Sequence, residues 1–406
     1  MSEMVITLVI CLLLLAANVV TGVRANSIID FISGLEKGNT SWTRLYDSDV
    51  SVKLRPPLAS TTLTRNSSLV IDELISETAF RSIADVEMSS KWPVEIESWL
   101  SRPSRQLPLV VKHLQPGTVI FVSNDLVEKF FTHMYQQINV PFVLVSAGGD
   151  RSIDPTPYLL SATYSNILHW YSKNCRTNIV HSQFSCLPQG LLDWMGQKEA
   201  VASVATHLSI NKNLPFYSDV PKNTSFEVLL SFHIANNPTA RTDLWIQFCG
   251  ELPSNSNQYS YVYNNKDKVN ALCLPMTGAW NHLPDSVTEN DLYRHLAATK
   301  FVISPHGSGL DCARTWEALY MGAYVIVKTS YLDSLYAGLP VLIVKDWSDV
   351  TPELLQRTYL VFQQMKFNYD VLNLSYWNIV FSNYGYNRYI YRLQESPSVT
   401  RRASRK

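Results

Sequence analysis

Residues 300–349 read KFVISPHGSGLDCARTWEALYMGAYVIVKTSYLDSLYAGLPVLIVKDWSD. An apolar run at 301–304 predicts a strand, and His306-Gly307-Ser308-Gly309 predicts a tight turn. A helix then opens, carrying Asp311, Arg314 and Glu317, and apolar strands follow at 324–328 and 340–344. This is a β-α-β-β succession with a phosphate-sized turn at a helix N-terminus. Such a turn offers backbone N–H groups and the positive end of a helix dipole to an anion. Gly307 and Gly309 permit positive φ and close approach of the backbone. On the helix, Cys312, Trp316 and Leu319 share one face and predict the core side. Asp311, Arg314 and Glu317 lie along another. Either that face is solvated, with local ion pairs, or it meets a ligand, with Arg314 forking onto a phosphate and Asp311 bracing the turn.

The pattern continues on both sides. Strands are expected at 118–123, 142–146, 178–191 (with a loop) and 226–232. Helices are expected at 71–102, 126–138, 158–168, 198–208, 241–248, 291–298 and 351–367, with a loop region up to residue 285. The chain of 406 residues is too long for one core. The fold class expected is α/β, with two doubly wound, Rossmann-like domains facing across a cleft. The divisions read as a targeting segment (1–25), a Ser/Thr-rich stem (26–70) and an N-terminal α/β domain (71–215). A C-terminal α/β domain (216–350), C-terminal helices (351–395) and a disordered basic tail (396–406) follow.

Thirty-four basic and 34 acidic side chains give a formal net charge of zero, so nothing points to a nucleic-acid partner. Residues 4–23 carry no charge and are long enough to span a bilayer. They read either as an uncleaved type II anchor or as a signal peptide cut before Asn26. Both readings put the rest of the chain in the secretory lumen or outside, attached to a membrane only if the segment is uncleaved. Sequons at Asn39, Asn66, Asn223 and Asn373 fit that compartment. Disulfides are permitted there; Cys175 with Cys186 and Cys249 with Cys273 are the expected pairs, leaving Cys312.

The decisive stretch resembles the C-terminal half of the exostosin-like glycosyltransferases. The resemblance rests on Pro305, Gly307, Gly309, Asp311, Arg314, Trp316, Glu317, Ala318, Leu319 and Gly322, then Val325-Ile326-Val327 and Leu335-Tyr336-Ala337-Gly338-Leu339-Pro340. His306 stands where many relatives carry Arg or Lys. In the first half, Trp170 with Asn174 and Leu187-Pro188-Gln189-Gly190-Leu191 are similar to the family's W-x-x-x-N and I-P-x-G-L stretches. The resemblance implies the two-domain GT-B architecture, a lumenal enzyme of the Golgi or ER, and a nucleotide-sugar donor, expected to be uridine-linked. It implies that Glu317 accepts hydrogen bonds from ribose hydroxyls. The donor side comprises His306, Gly307, Ser308, Gly309, Asp311, Arg314 and Glu317, with Arg241 as a second cation for the leaving diphosphate. The acceptor is expected to be a glycan or glycoprotein bound by the first domain.

Within the two α/β domains (71–350) no Asp-x-Asp pair of the metal-dependent enzymes occurs, so a divalent metal is not expected to be essential and no cofactor is required. Asp125 and Asp150 are the candidate bases, with Asp154 close to the latter. His169, His181, His233 and His306 show no metal-ligand spacing. Two other classes stay open: a non-catalytic glycan-binding or scaffold protein, and a glycoside hydrolase using Asp125 with Asp150.

Overall fold

The computed structural model describes residues 71–88, 114–177, 181–193, 196–207, 222, 226–250, 252, 261–263, 269–276 and 288–382. Within these, two β-sheets are flanked by helices, giving an α/β molecule. The first sheet contains β1 (Val86–Met88), β2 (Thr118–Ser123), β3 (Phe142–Ala147), β4 (Ile167–Ser172) and β5 (Phe184–Cys186). Its strands are parallel and lie side by side in chain order. The second contains β6 (Val228–Leu230), β7 (Tyr261–Tyr263), β8 (Ala271–Cys273), β9 (Phe301–Ile303), β10 (Tyr324–Lys328) and β11 (Val341–Val344). Its order is β11-β10-β9-β6-β8-β7, with only the edge strand β7 antiparallel.

Helices of six residues or more include α1 (Glu77–Ser82), α2 (Gln197–His207), α3 (Pro238–Cys249), α4 (Glu289–Ala298), α5 (Ala313–Tyr320) and α6 (Pro352–Phe362). Their starts are written in the sequence. Ser76 caps α1, Asn237 caps α3 ahead of Pro238, Thr288 and Asp291 form a capping box on α4, and Thr351 caps α6 ahead of Pro352.

The second sheet is buried on both faces, and its period of two separates them. Val228, Leu230, Phe301, Ile303, Ile326, Leu342 and Val344 pack with Leu244, Trp245 and Phe248 of α3 and Leu354, Leu355 and Phe362 of α6. Leu229, Val302, Val325, Val327 and Ile343 face the other way, into a core shared with α5 and the first sheet. Residues 374–382 form a further helix. Trp377 and Phe381 of that helix cross to the first sheet's side, where both rings meet Phe80 and Tyr171. Tyr320 ties the junction together: its hydroxyl accepts from Ile75 N at 3.0 Å and donates to the Leu372 carbonyl at 2.6 Å.

The order of the second sheet reverses at β6, the signature of a doubly wound sheet. The first sheet has no reversal among the described strands, so the doubly wound description applies only to the second. Local expectations also change. Of the helix expected over 71–102, the part over 71–88 is α-helical only in α1, which ends at Ser82 and is followed by β1, where pairing with β2 overrides local preference; residues 89–102 lie outside the described residues. The helix expected over 158–168 covers only Thr156–Leu159. Ile167–Ser172 is instead a strand buried along its whole length, and such a run has no alternation to distinguish it from a helix. The loop region before residue 285 contains β7 and β8. The targeting segment, the stem and the basic tail lie outside the described residues. No helix among the described residues is long and apolar enough to cross a membrane.

Candidate functional site

In open α/β sheets the loops at a strand-order reversal splay apart and leave a crevice. Here the reversal lies between β6 and β9, so the crevice is bounded by residues 231–237 and 304–312. The glycine turn is one of those two loops. The loops are laced together: Asn237 Nδ2 donates to Gly307 O at 2.9 Å, and Ser308 Oγ to Asn236 O at 3.3 Å. Arg241 Nε donates to His306 O at 2.9 Å, Nη1 to His233 O at 2.6 Å and Nη2 to Pro305 O at 3.3 Å. Arg241 is buried, with its guanidinium against the Phe232 ring. It therefore shapes the turn from behind, where the sequence reading made it a cation facing the diphosphate.

Neither Gly307 nor Gly309 has positive φ. Both are glycine because neighbours press on them. A Cβ at Gly307 would lie 3.0 Å from Arg241 Nη2, and one at Gly309 would lie 2.5 Å from Asn174 Nδ2. Within the turn, Gly307 N donates to Gly309 O. The amides of Ser308, Gly309 and Leu310 have no acceptor among the described residues, and Ser308 is exposed. Gly309 is buried and Leu310 half-buried; successive N–H groups in such a turn are the kind of donors from which anion-binding concavities are built. The anion position expected at the start of α5 is filled from within. Cys312 N donates to Asp311 Oδ1 at 2.8 Å. With its side-chain amide oriented to satisfy both neighbours, Gln189 accepts from Ala313 N at 3.3 Å. The free donors sit ahead of the helix.

Asp311 precedes α5 and is buried at the seam between the two sheets. Its carboxylate accepts from Gln189 N at 2.7 Å and from the Trp316 indole at 3.0 Å, and Tyr336 hydroxyl bonds to it as well. Its own N–H donates to Asn174 Oδ1 at 2.8 Å. Burial pushes its pKa up to about 6, against the pull of these donors and the nearby Lys173 ammonium. Asn174 is the one described non-glycine residue with positive φ, at 50°. Asparagine tolerates that region better than most residues, and the strain marks a fixed contact point.

Arg314 and Glu317 are brought together. They form a buried ion pair within α5, whose residues are all buried, so the helix has no solvated face. Arg314 Nε donates to Ser231 O at 2.9 Å, bracing the loop after β6. Burial raises the pKa of Glu317, and the Arg314 guanidinium opposes the rise. Ser231 Oγ is buried beside this pair with no partner. His306 is half-buried; burial first, then the Arg241 charge, holds its pKa below the usual histidine value. It is a neutral imidazole at pH 7 and does not replace the Arg or Lys of the resembling family.

Across the seam lies the carboxyl edge of the first sheet. Asn124, after β2, donates to Arg151 O and to Lys173 O, each at 3.0 Å, and so holds the three loops after β2, β3 and β4 together. Asp125 and Asp150 are both exposed on this edge. Gly148 and Gly149 have positive φ, and both are crowded by carboxylates. A Cβ at Gly148 would lie 2.6 Å from Glu77 Oε1, and one at Gly149 would lie 2.5 Å from Asp125 Oδ2. Lys173 is buried among these groups. Neither Glu77 nor Lys173 is marked by a motif, and the strand that ends just before Lys173 is not among those expected from the sequence. Burial lowers the Lys173 pKa, with Asp150, Glu77, Asp311 and Asp125 opposing in that order.

Other groups are structural. Asp154 caps a short helix through Thr156 N at 2.9 Å, His169 bonds Ser185, and His181 accepts from Gln183 N. Disulfides join Cys175 to Cys186 and Cys249 to Cys273, and Cys312 is free. The first of these anchors the loop that follows Asn174. Asn373 is half-buried and pairs with Leu74 in an antiparallel bridge; Asn39, Asn66 and Asn223 lie outside the described residues. Among the described residues no group of three or more His, Cys, Asp or Glu is placed to hold a metal ion. The chain matches no protein-family model and no curated protein.

Proposed function

We propose that this chain is a glycosyltransferase of GT-B architecture that works in the secretory pathway, with a nucleoside diphosphate sugar, uridine-linked, as donor. The observation that carries the reading is the set of unpaired amides at Ser308, Gly309 and Leu310, at the strand-order reversal of the second sheet. They can receive the charge that develops on the leaving diphosphate. The acceptor binds at the carboxyl edge of the first sheet, where Asp125 or Asp150 removes the proton of the attacking hydroxyl. Arg314 and Glu317 act by holding the donor loops, and His306 contributes a neutral hydrogen-bonding group.

Calorimetry with UDP, on the full chain in detergent and with EDTA present, tests the donor site. Binding is expected, and Gly309→Ala, which drives a methyl group into Asn174, is expected to weaken it. No binding of UDP, ADP or GDP, with or without Mn²⁺, would reject the reading. The two exposed carboxylates beside Gly149 also suit a hydrolase. Release of free sugar from aryl glycosides without any nucleotide would favour that second reading.

A further inference from the structure

Lys173 is the least explained charge in the molecule. It is only 6% exposed. Its backbone is fully used: its N–H donates to Ser146 O at 2.8 Å, and its carbonyl accepts from Asn124 and Ser172. Its ammonium makes no hydrogen bond and no ion pair with any described residue, although Asp150, Glu77, Asp311 and Asp125 all lie within electrostatic reach. The side chain is nearly enclosed, but Nζ is not one of the buried unpaired atoms among the described residues, and it has three donors to offer. Asp125 and Asp150 are likewise without partners in the described residues, and both are open to solvent. The backbone has been fitted around the cluster, since the two positive-φ glycines at 148 and 149 leave the space that Glu77 and Asp125 occupy.

We propose that Lys173, Glu77, Asp125 and Asp150 form a subsite for a neutral, polyhydroxylated sugar ring, and that it excludes uronates and sulfated sugars. A hydroxyl can donate to a carboxylate and accept from an ammonium, so one ring satisfies both kinds of group. Glu77 is paired with Arg81 at 2.5 Å, so an anionic sugar would face the two free carboxylates of Asp125 and Asp150 against one ammonium. Like charges at close range repel, and weakly screened ones at a protein edge repel more. This rests on the reading of the first domain as the acceptor side, but it concerns sugar binding alone and can fail separately.

The test is saturation-transfer NMR on the full chain in detergent. The probes are a panel of neutral methyl pyranosides (gluco, galacto, manno and xylo) and methyl β-D-glucuronide. At least one neutral probe is expected to bind, and the glucuronide more weakly by roughly tenfold or more. Lys173→Met should weaken the neutral probe by roughly tenfold, the loss of a charge-assisted hydrogen bond, while leaving UDP affinity unchanged. If Lys173→Met does not fold, Asp150→Asn serves instead: it should weaken the neutral probe and narrow the gap to the glucuronide. Binding of the glucuronide equal to or tighter than every neutral probe would overturn the proposal. So would binding of none of them, or a neutral probe indifferent to whichever variant folds. Sugar binding with no UDP binding would defeat the transferase reading and leave this one standing.

Discussion

Asp311 and Lys173 are both charged, both buried and within electrostatic reach of each other, yet the chain treats them in opposite ways. Asp311 is met by donors from Gln189, Cys312, Trp316 and Tyr336. Lys173 has no hydrogen bond from its ammonium within the described residues. Lys173 Nζ is not one of the buried unpaired atoms among the described residues, so the difference lies in what each group is offered, not in an unmet buried donor. The satisfied group joins two halves of a structure. The unpaired one, at a sheet's carboxyl edge, is kept for something that arrives. The same contrast separates the paired Arg314 and Glu317 from the unpaired amides of the glycine turn.

The sharpest way to break this contrast is to remove a satisfied partner. Arg314→Ala strips the buried Glu317 of its charge partner and leaves it only Tyr293, and should cost about 3–5 kcal/mol in unfolding free energy. A denaturant midpoint close to wild type would mean that the pair is not a structural one.

The next effect concerns pH. The folded pKa of Asp311 is pushed up to about 6 from an unfolded value of 3.8. Folding therefore favours its protonated form. The stability it contributes is fully present below pH 4 and is lost as pH rises through about 6. The stability of wild type relative to Asp311→Asn should fall by up to ~3 kcal/mol between pH 4 and pH 7. A flat difference across that range would show that the donors around the carboxylate outweigh its burial.

Tyr320→Phe comes third. It leaves the Ile75 N–H and the Leu372 carbonyl buried without their shared hydroxyl, and should cost about 2 kcal/mol. Thermal melting would read it, and no change would mean that the two halves rely on packing alone. The smallest effect is expected from Lys173→Met. No hydrogen bond is lost and a buried charge goes, so the change should stay within about 1 kcal/mol. A loss as large as that of Arg314→Ala would place Lys173 with the architectural group and end the contrast.

The stretch that decided the fold was legible because each of its signals is local. The apolar runs at 301–303, 324–328 and 341–344 are the strands β9, β10 and β11, and the turn between the first and α5 is where the glycines put it. The α5 side chains were less legible. A three-residue spacing marks a stripe, but it says nothing of what covers the stripe. Here the Ser231 carbonyl, Met276 and Tyr293 of α4 do, and they make Arg314 and Glu317 a buried pair. Arg241 lies near the turn, as its sequence position suggests, but the side it presents is set by Phe232 and the carbonyls of His233, Pro305 and His306. Lys173 was readable only with hindsight, because burial without a partner is a property of the assembled sheet edge.

The account stands most directly on the three free amides of the glycine turn. Amide hydrogen exchange in residues 307–311, measured with and without UDP, tests them. Fast exchange that slows markedly in the presence of UDP is predicted, with Lys173→Met behaving like wild type. UDP that binds while exchange in this turn stays unchanged would put the donor elsewhere and contradict the account.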